Sequence, residues 1–442
     1  MKVVKKLTGK SLVLALVLVV SPFGNKGRVW AQEPAFPTIT IDEAIDAALA
    51  HSPQMAQAMG SLTNAGANER SALGSYLPSL SFSTGGSRRS SEIFNPTTNT
   101  MVRSDASVGY NAGLNSSIDL FTGGRRGAEM ERARADLTAA DAGLVQQKYS
   151  VILNTKRAFF EVLRSGELIR VSKLRLERAE EALEAAERRA KVGSATESDV
   201  LRARLEVTNA RQALLRAENQ KTSGSYELGR LVGAPGAVEA DPDGALVVKE
   251  LDLDREMLVE EVLRQAPAIR SALASADAAE AGAKAARAQY LPTISASAGY
   301  NLANQEVSLA TSNKSWSLGF SLSYPIFNRF QREANVQRAN VQADIASTQL
   351  ADARRQARAE LERVLGALEL AQLQIELTEE AVRVAEDDLR LQQERYRLGV
   401  STILDQVTSQ ANLVQAEVDL INARFDYQTA LAELEALLGR EI

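Results

Sequence analysis

Chemistry in this chain would have to come from 56 aspartates and glutamates and a single histidine, His51, because it contains no cysteine. Carboxylates can serve as general acids and bases, and with histidine they can hold a metal, but either task needs a tight constellation. His51 stands alone before Ser52-Pro53. No Cys/His cluster has zinc spacing, no glycine-rich loop follows a strand, and no nucleophile motif occurs. The carboxylates lie instead in runs such as Arg175 to Arg189 and Arg354 to Arg363, mixed with arginine, alanine and leucine. Such runs read as solvated or ion-paired helix faces. The expectation is no catalytic residue, no metal site and no cofactor: a conduit and not a catalyst. Asp199 and Asp405 stand apart, each in the first turn of a helical stretch, where a negative side chain favours the helix dipole.

The elements that would position these residues fall into two kinds. The clearest strand runs from Ser315 to Phe327. Trp316, Leu318, Phe320, Leu322 and Tyr324 take one face, and Ser or Gly fills every odd position from Ser315 to Ser323. The pattern recurs from Ala106 to Leu120, with Val108, Tyr110, Leu114, Ile118 and Leu120 opposing small polar residues. It recurs again from Thr293 to Leu302, with Ile294 and Tyr300, and weakly from Ser79 to Gly86. Segments of about 10 residues, apolar outward and small-polar inward, are the signature of membrane barrel strands. These apolar rows would face lipid, with Trp316 and Tyr324 as interface anchors. A small β-sandwich inserted in a helical protein is the alternative, but its solvated face should carry long charged side chains.

Residues 1–31 are expected to be a secretory signal peptide. Lys2, Lys5, Lys6 and Lys10 form a basic start, Leu12 to Val20 are aliphatic, and Val29-Trp30-Ala31 ends in a small residue. A retained anchor is the other reading. Cleavage would remove six of the 51 basic residues and no acidic ones, leaving 45 against 56. So acidic a chain is not expected to bind nucleic acid through a basic surface. No later apolar run approaches the roughly 20 residues of a spanning helix, so a membrane crossing would have to be closed β-structure.

The chain reads as one unit used twice, with a first repeat at 32–240 and a second at 241–442. Pro53, Tyr76, Leu77 and Pro78 recur as Pro267, Tyr290, Leu291 and Pro292, displaced by 214. Phe121, Gly193, Asp199 and Gly233 recur as Phe327, Gly399, Asp405 and Gly439, displaced by 206. Each unit is expected to hold a broken helix, a hairpin (about 76–121 and 290–327), a long helix (125–192 and 329–398) and a return helix (197–231 and 402–438). The first hairpin should have the longer tip, a polar loop from Ser87 to Asp105. Ser194-Ala195-Thr196-Glu197 offers a capping box for the first return helix. The long helices, on the order of 100 Å each at 1.5 Å per residue, are too charged to span lipid and suit bundle or coiled-coil packing.

Four strands cannot stand alone in lipid, since both sheet edges would expose unpaired backbone groups. Several chains must therefore share one barrel; two, three or four copies satisfy the argument equally.

The Leu-Pro strand starts and the Arg-Tyr-Arg-Leu-Gly-Val-Ser run at 395–401 resemble the TolC family of outer-membrane efflux proteins. So do Thr-Ile-Leu-Asp at 402–405, the Leu-Leu-Gly finish at 437–439 and the duplication itself. The resemblance implies a mainly α homotrimer whose 12-stranded membrane β-barrel continues as an α-helical barrel tunnel through the periplasm of a Gram-negative bacterium. It implies docking of a periplasmic adaptor (membrane fusion protein) and an inner-membrane pump or secretion ATPase. It places Gly193, Ser194, Gly399, Val400 and Ser401 at an adaptor-docking tip. Asp405, Thr408, Asp199 and Tyr396 would lie at the pore constriction, Asp199 and Tyr396 tying neighbouring protomers. Ser401 stands where the family can carry a gate-tying arginine, and Thr408 where it can carry a second aspartate ring. A differently wired closed state is expected. A pump-independent porin-like channel and a structural periplasmic coiled-coil protein are the competing readings.

Overall fold

Glycine and proline set the ends of the helices. The computed structural model describes residues 36–442 apart from 98, 104–106, 243–253 and 306–311; the expected signal peptide lies outside them. After the short strand β1 (Thr38–Ile39), Thr40 caps α1 (Ile41–His51) with Glu43 closing a capping box. Ser52 then caps α2 (Pro53–Gly74), so Pro53 occupies a first-turn position where its missing N–H costs nothing. The hairpin region holds β2 (Ser79–Arg89), β3 (Glu92–Asn95), β4 (Thr100–Arg103) and β5 (Ser107–Phe121). Then come α3 (Arg125–Lys191), α4 (Glu197–Val232) and β6 (Glu239–Ala240). The second half runs α5 (Arg255–Gln265), α6 (Pro267–Arg287), a 3₁₀ turn (Ala288–Tyr290), β7 (Thr293–Asn304), β8 (Asn313–Ser323), α7 (Gln331–Arg397) and α8 (Ile403–Leu438). The paired long helices are 67 residues each and the paired return helices 36 each.

The polar stretch read as a loop from Ser87 to Asp105 is partly strand. β3 and β4 form a small antiparallel ribbon of their own, with Glu92 opposite Arg103 and Phe94 opposite Met101. Its residues show little period-2 alternation, which is why the sequence pattern missed it.

One four-stranded antiparallel sheet, in the order β2-β5-β7-β8, unites the two hairpins. Its register carries each sequence alternation across every strand. Phe82, Leu114, Tyr300 and Trp316 stand side by side, as do Ile118, Ala296 and Phe320. On the other face Ser83, Gly113, Asn301 and Ser315 are neighbours. Glycine makes room there: a Cβ on Gly113 would sit 2.4 Å from the Asn301 amide oxygen. A bulge between Asp119 and Phe121 skips Leu120, so Phe121 and not Leu120 stands beside Ile294.

The helices pack by the same duplicated logic. One core joins Ala44, Phe159, Leu228 and Val232, and another joins Leu258, Leu365, Leu434 and Leu438; these are the same four positions in the two halves. Towards the far end α3 and α4 meet through Ala179, Val207 and Ala210, where small side chains let helices approach closely. β1 pairs parallel with β6, Thr38 beside Glu239 and Ile39 beside Ala240, fastening the stretch after α4 to the start of the fold. No helix among the described residues is long and apolar enough to cross a membrane.

Candidate functional site

The turns between each long helix and its return helix are built alike, and they gather most of the residues singled out by sequence. α3 ends in a left-handed glycine, Gly193 at φ 75°, and α7 ends at Gly399, φ 80°. In both turns the glycine N–H and the next N–H fold back onto the last helical carbonyls. Gly193 donates to Ala190 and Ser194 to Arg189; Gly399 donates to Tyr396 and Val400 to Arg395. Around this hydrogen-bonded frame Val192, Leu398 and Val400 stand 78%, 71% and 64% exposed. The tip therefore exposes three large aliphatic side chains among polar ones such as Lys191, Ser194 and Arg397.

The acids that follow are capping residues. Asp199 accepts from the Thr196 N–H at 2.9 Å and hydroxyl at 2.7 Å, and Asp405 accepts from Thr402 with the same two distances. The cap is thus Thr196 with Asp199, not the Ser194–Glu197 box expected from sequence. Ser194 is already engaged, since both its N–H and its hydroxyl reach the Arg189 carbonyl. Both carboxyls are held below the usual carboxylate range, first by the Thr196 or Thr402 backbone N–H and then by the threonine hydroxyl. Ser401 adds a third donor to Asp405 at 3.1 Å. Within the chain, then, the Ser401 hydroxyl lies between two acceptors, Asp405 at 3.1 Å and the Gln392 amide oxygen at 3.3 Å. Thr408 lies one turn further on, exposed, its hydroxyl returned to the Leu404 carbonyl.

Tyr396 lies apart from these acids. It is 9% exposed, its ring is covered at 4.4 Å by the Arg189 guanidinium, and Arg189 also donates to the Tyr396 carbonyl at 2.6 Å. The Tyr396 hydroxyl is buried without a hydrogen-bond partner. Sequence reading missed Arg189, which bridges the two turns from 207 positions away. A second inter-half link is Gln410, buried on α8, whose amide donates to the Arg175 carbonyl on α3 at 3.3 Å.

The sheet carries the remaining candidates except Tyr324, which follows the last residue of β8, so the strand expected from Ser315 to Phe327 ends at Ser323 ahead of Pro325. Trp316, Leu318, Phe320, Leu322 and Tyr324 are 52–78% exposed, and Tyr110, Leu114 and Tyr300 are 39–46% exposed. Val108, Ile118 and Ile294 are partly covered on the same face. His51 is structural: its Nδ1 lies 2.9 Å from the Ala47 carbonyl, and its ring packs where a Cβ on Gly233 would intrude. Among the described residues no group of three or more His, Cys, Asp or Glu could hold a metal ion.

The profile of the family described as outer membrane efflux protein matches residues 44–234 and 258–440. Protein CyaE of Bordetella pertussis is 28% identical over 346 residues, covering 76% of this chain and 70% of that protein. The pyoverdine export outer membrane protein OpmQ of Pseudomonas aeruginosa is 27% identical over 314 residues, covering 69% of this chain and 65% of that one. Among solved structures, the outer membrane protein VceC of Vibrio cholerae superimposes with a TM-score of 0.78 at 23% identity, covering 91% of this chain and 96% of its own. CusC superimposes with a TM-score of 0.80 at 20% identity, covering 92% and 93%.

Proposed function

Because this chain belongs to the outer membrane efflux protein family, we propose that three copies of it close one 12-stranded barrel in the outer membrane, continued by an α-helical tunnel. The chain is an outer-membrane channel, the exit duct of an efflux system. The observation that supports the shared barrel is the four-stranded sheet with one apolar face, one small polar face and two open edges, β2 and β8. In hydrocarbon those edges would leave rows of N–H and C=O groups unpaired, each costing several kcal/mol. Under this reading the serine, glycine and asparagine face lines the lumen, and the Trp316 row meets lipid.

The tips at Gly193, Ser194, Gly399, Val400 and Ser401 are then the docking face for a periplasmic adaptor, behind which an inner-membrane pump or ATPase supplies substrate. What favours docking is the exposed aliphatic group of Val192, Leu398 and Val400 beside turns whose Gly193, Ser194, Gly399 and Val400 N–H groups are already bonded within the chain. Asp405, with Asp199, Thr408 and Tyr396, is assigned to the constriction. The relatives' names span pyoverdine export, toluene efflux and cation efflux.

The deciding experiment measures the mass of the detergent-extracted protein and its conductance in planar bilayers. A mass of three chains with discrete channel openings is expected. A monomer, or release by osmotic shock without detergent, would instead favour a periplasmic structural protein. Export that persists in a strain lacking periplasmic adaptors would favour a pump-independent channel.

A further inference from the structure

The polar face of the four-stranded sheet is almost free of charge. On β2, β7 and β8, and on β5 as far as the bulge, it carries serine, glycine, asparagine, threonine or alanine, with two exceptions. Asp119 lies at one end, where β5 approaches α3, and Arg89 lies at the other, as the last residue of β2. Parity assigns Arg89 to this face. It pairs with Ser107 in an unbroken register that runs through Ser87 with Gly109 to Ser83 with Gly113. Its neighbour Arg88 pairs with Val108 and belongs to the apolar face. Two consecutive arginines are thus assigned to opposite sides of the sheet.

β2 leaves the helices at Ser79, so Arg89 stands on the rim farthest from them. It is exposed and makes no ion pair among the described residues. Asp119 instead has Arg125 at 3.8 Å, itself held by Glu129 at 2.9 Å, which leaves two carboxylates against one guanidinium. Asp119 and Ser107, the partner of Arg89, are 12 positions apart on β5, about 40 Å of strand at roughly 3.4 Å per residue. Salt at physiological strength screens charges beyond about 8 Å, so the two ends do not neutralise each other.

We infer that Arg89 is a charge-selecting residue of the outer mouth, where the guanidinium groups of the assembled copies form a ring that favours anions and repels cations. This rests on the shared-barrel reading, in which the polar face lines the lumen. Fixed charges of one sign around an aqueous pore concentrate ions of the other sign and deplete their own. Hydroxyls and amides along the wall between the two ends solvate ions of either sign, so sorting within the barrel falls to its ends. A cation moving outward meets the Asp119 end first and the guanidinium ring last; an anion meets the opposite order of attraction. The barrel therefore passes current unequally in its two directions.

The test is the reversal potential of the full-length protein in planar bilayers under a potassium chloride gradient. Arg89→Gln should raise the cation-to-anion permeability ratio by about two-fold, and Asp119→Asn should lower it. Arg88→Gln, on the lipid-facing side, should leave it unchanged. Because the chain has no native cysteine, Arg89→Cys can also be labelled with charged thiosulfonate reagents. A trimethylammonium label should restore the parent's ratio, and a sulfonate label should carry it beyond that of Arg89→Gln. An unchanged reversal potential in Arg89→Gln, from a protein with the mass of three chains and discrete openings, overturns the inference and leaves the barrel standing. A shift in Arg88→Gln as large as that in Arg89→Gln also overturns it, since the two would then share a face. An extracted monomer without openings overturns the shared barrel, and the ring with it.

Discussion

Arg189 covers the ring of Tyr396 at 4.4 Å and also donates to that residue's carbonyl at 2.6 Å, so one side chain fastens the end of α3 to the end of α7. A cation–π contact of this kind contributes about 1 kcal/mol, and a hydrogen bond from a charged donor about 1.5–3 kcal/mol. Arg189→Ala should therefore loosen the tip by an amount on that order. In planar bilayers the variant should open more often or to a larger conductance than the parent. Tyr396→Phe keeps the stacked ring and removes a hydroxyl that has no partner in the chain, so it should leave conductance unchanged. If Tyr396→Phe opens the channel as far as Arg189→Ala does, the hydroxyl is bonded across protomers in the assembled duct.

Asp405 has two separable roles, since its carboxylate both caps α8 and carries charge. Asp405→Asn preserves an acceptor for Thr402 and removes the charge, whereas Asp405→Ala removes both and with them the carboxylate half of the capping box. The expected outcome is that Asn reduces cation selectivity with little change in thermal stability, and that Ala lowers both. Unchanged reversal potentials in the Asn variant would leave Asp405 a helix cap alone. The depressed carboxyl also gives a sign: its capping stability is present above the ordinary carboxylate range and is lost only as pH falls through its lower folded-state value.

How far these features can be read from sequence depends on the range over which they are encoded. Helix ends are legible because Gly193, Gly233, Gly399 and Gly439 each terminate a periodic run, and all four adopt positive φ. Strand faces are legible because the two-residue alternation is local, and pairing then aligns whole rows. The competing caps show the limit. Ser194–Glu197 and Thr196–Asp199 are both plausible boxes, and only the turn that commits Ser194 to the Arg189 carbonyl chooses between them. Arg189 on Tyr396 and Gln410 on Arg175 join residues hundreds of positions apart on charged helix faces, where nothing local distinguishes a partnered side chain from a solvated one.

The same long-range logic governs Lys156 and Glu435, an ion pair between α3 and α8 with side chains only 17% and 8% exposed. Removing one member of a buried pair leaves the other charge uncompensated, typically at a cost of about 3–5 kcal/mol. Glu435→Ala should lower the temperature at which the assembled protein dissociates on heated gels. The double variant Lys156→Met with Glu435→Leu should recover much of the loss. An equal loss in both would show that the pair supplies more than mutual compensation.

Glu417 on α8 offers a pH test. With Arg170, Glu386 and Arg424 it lines a cavity of about 360 Å³ between α3, α7 and α8, and one of its oxygens is buried without a hydrogen-bond partner. Burial pushes its carboxyl above the usual range and Glu386 adds to that, while Arg178 and Arg170 oppose it. A carboxyl raised in the folded state supplies stability that is complete below its unfolded value and is lost as pH rises through its folded value. The parent should therefore melt at a higher temperature in mild acid than at neutral pH, as far as this residue governs the slope. Glu417→Gln keeps the shape and cannot ionise, so it should be more stable than the parent at neutral pH and show a flatter profile. Arg178, whose Nη1 is also buried without a partner, sets the counter-expectation. If Arg178 compensates the Glu417 charge in the assembled tunnel, the glutamine variant will melt lower at neutral pH, and the burial argument fails.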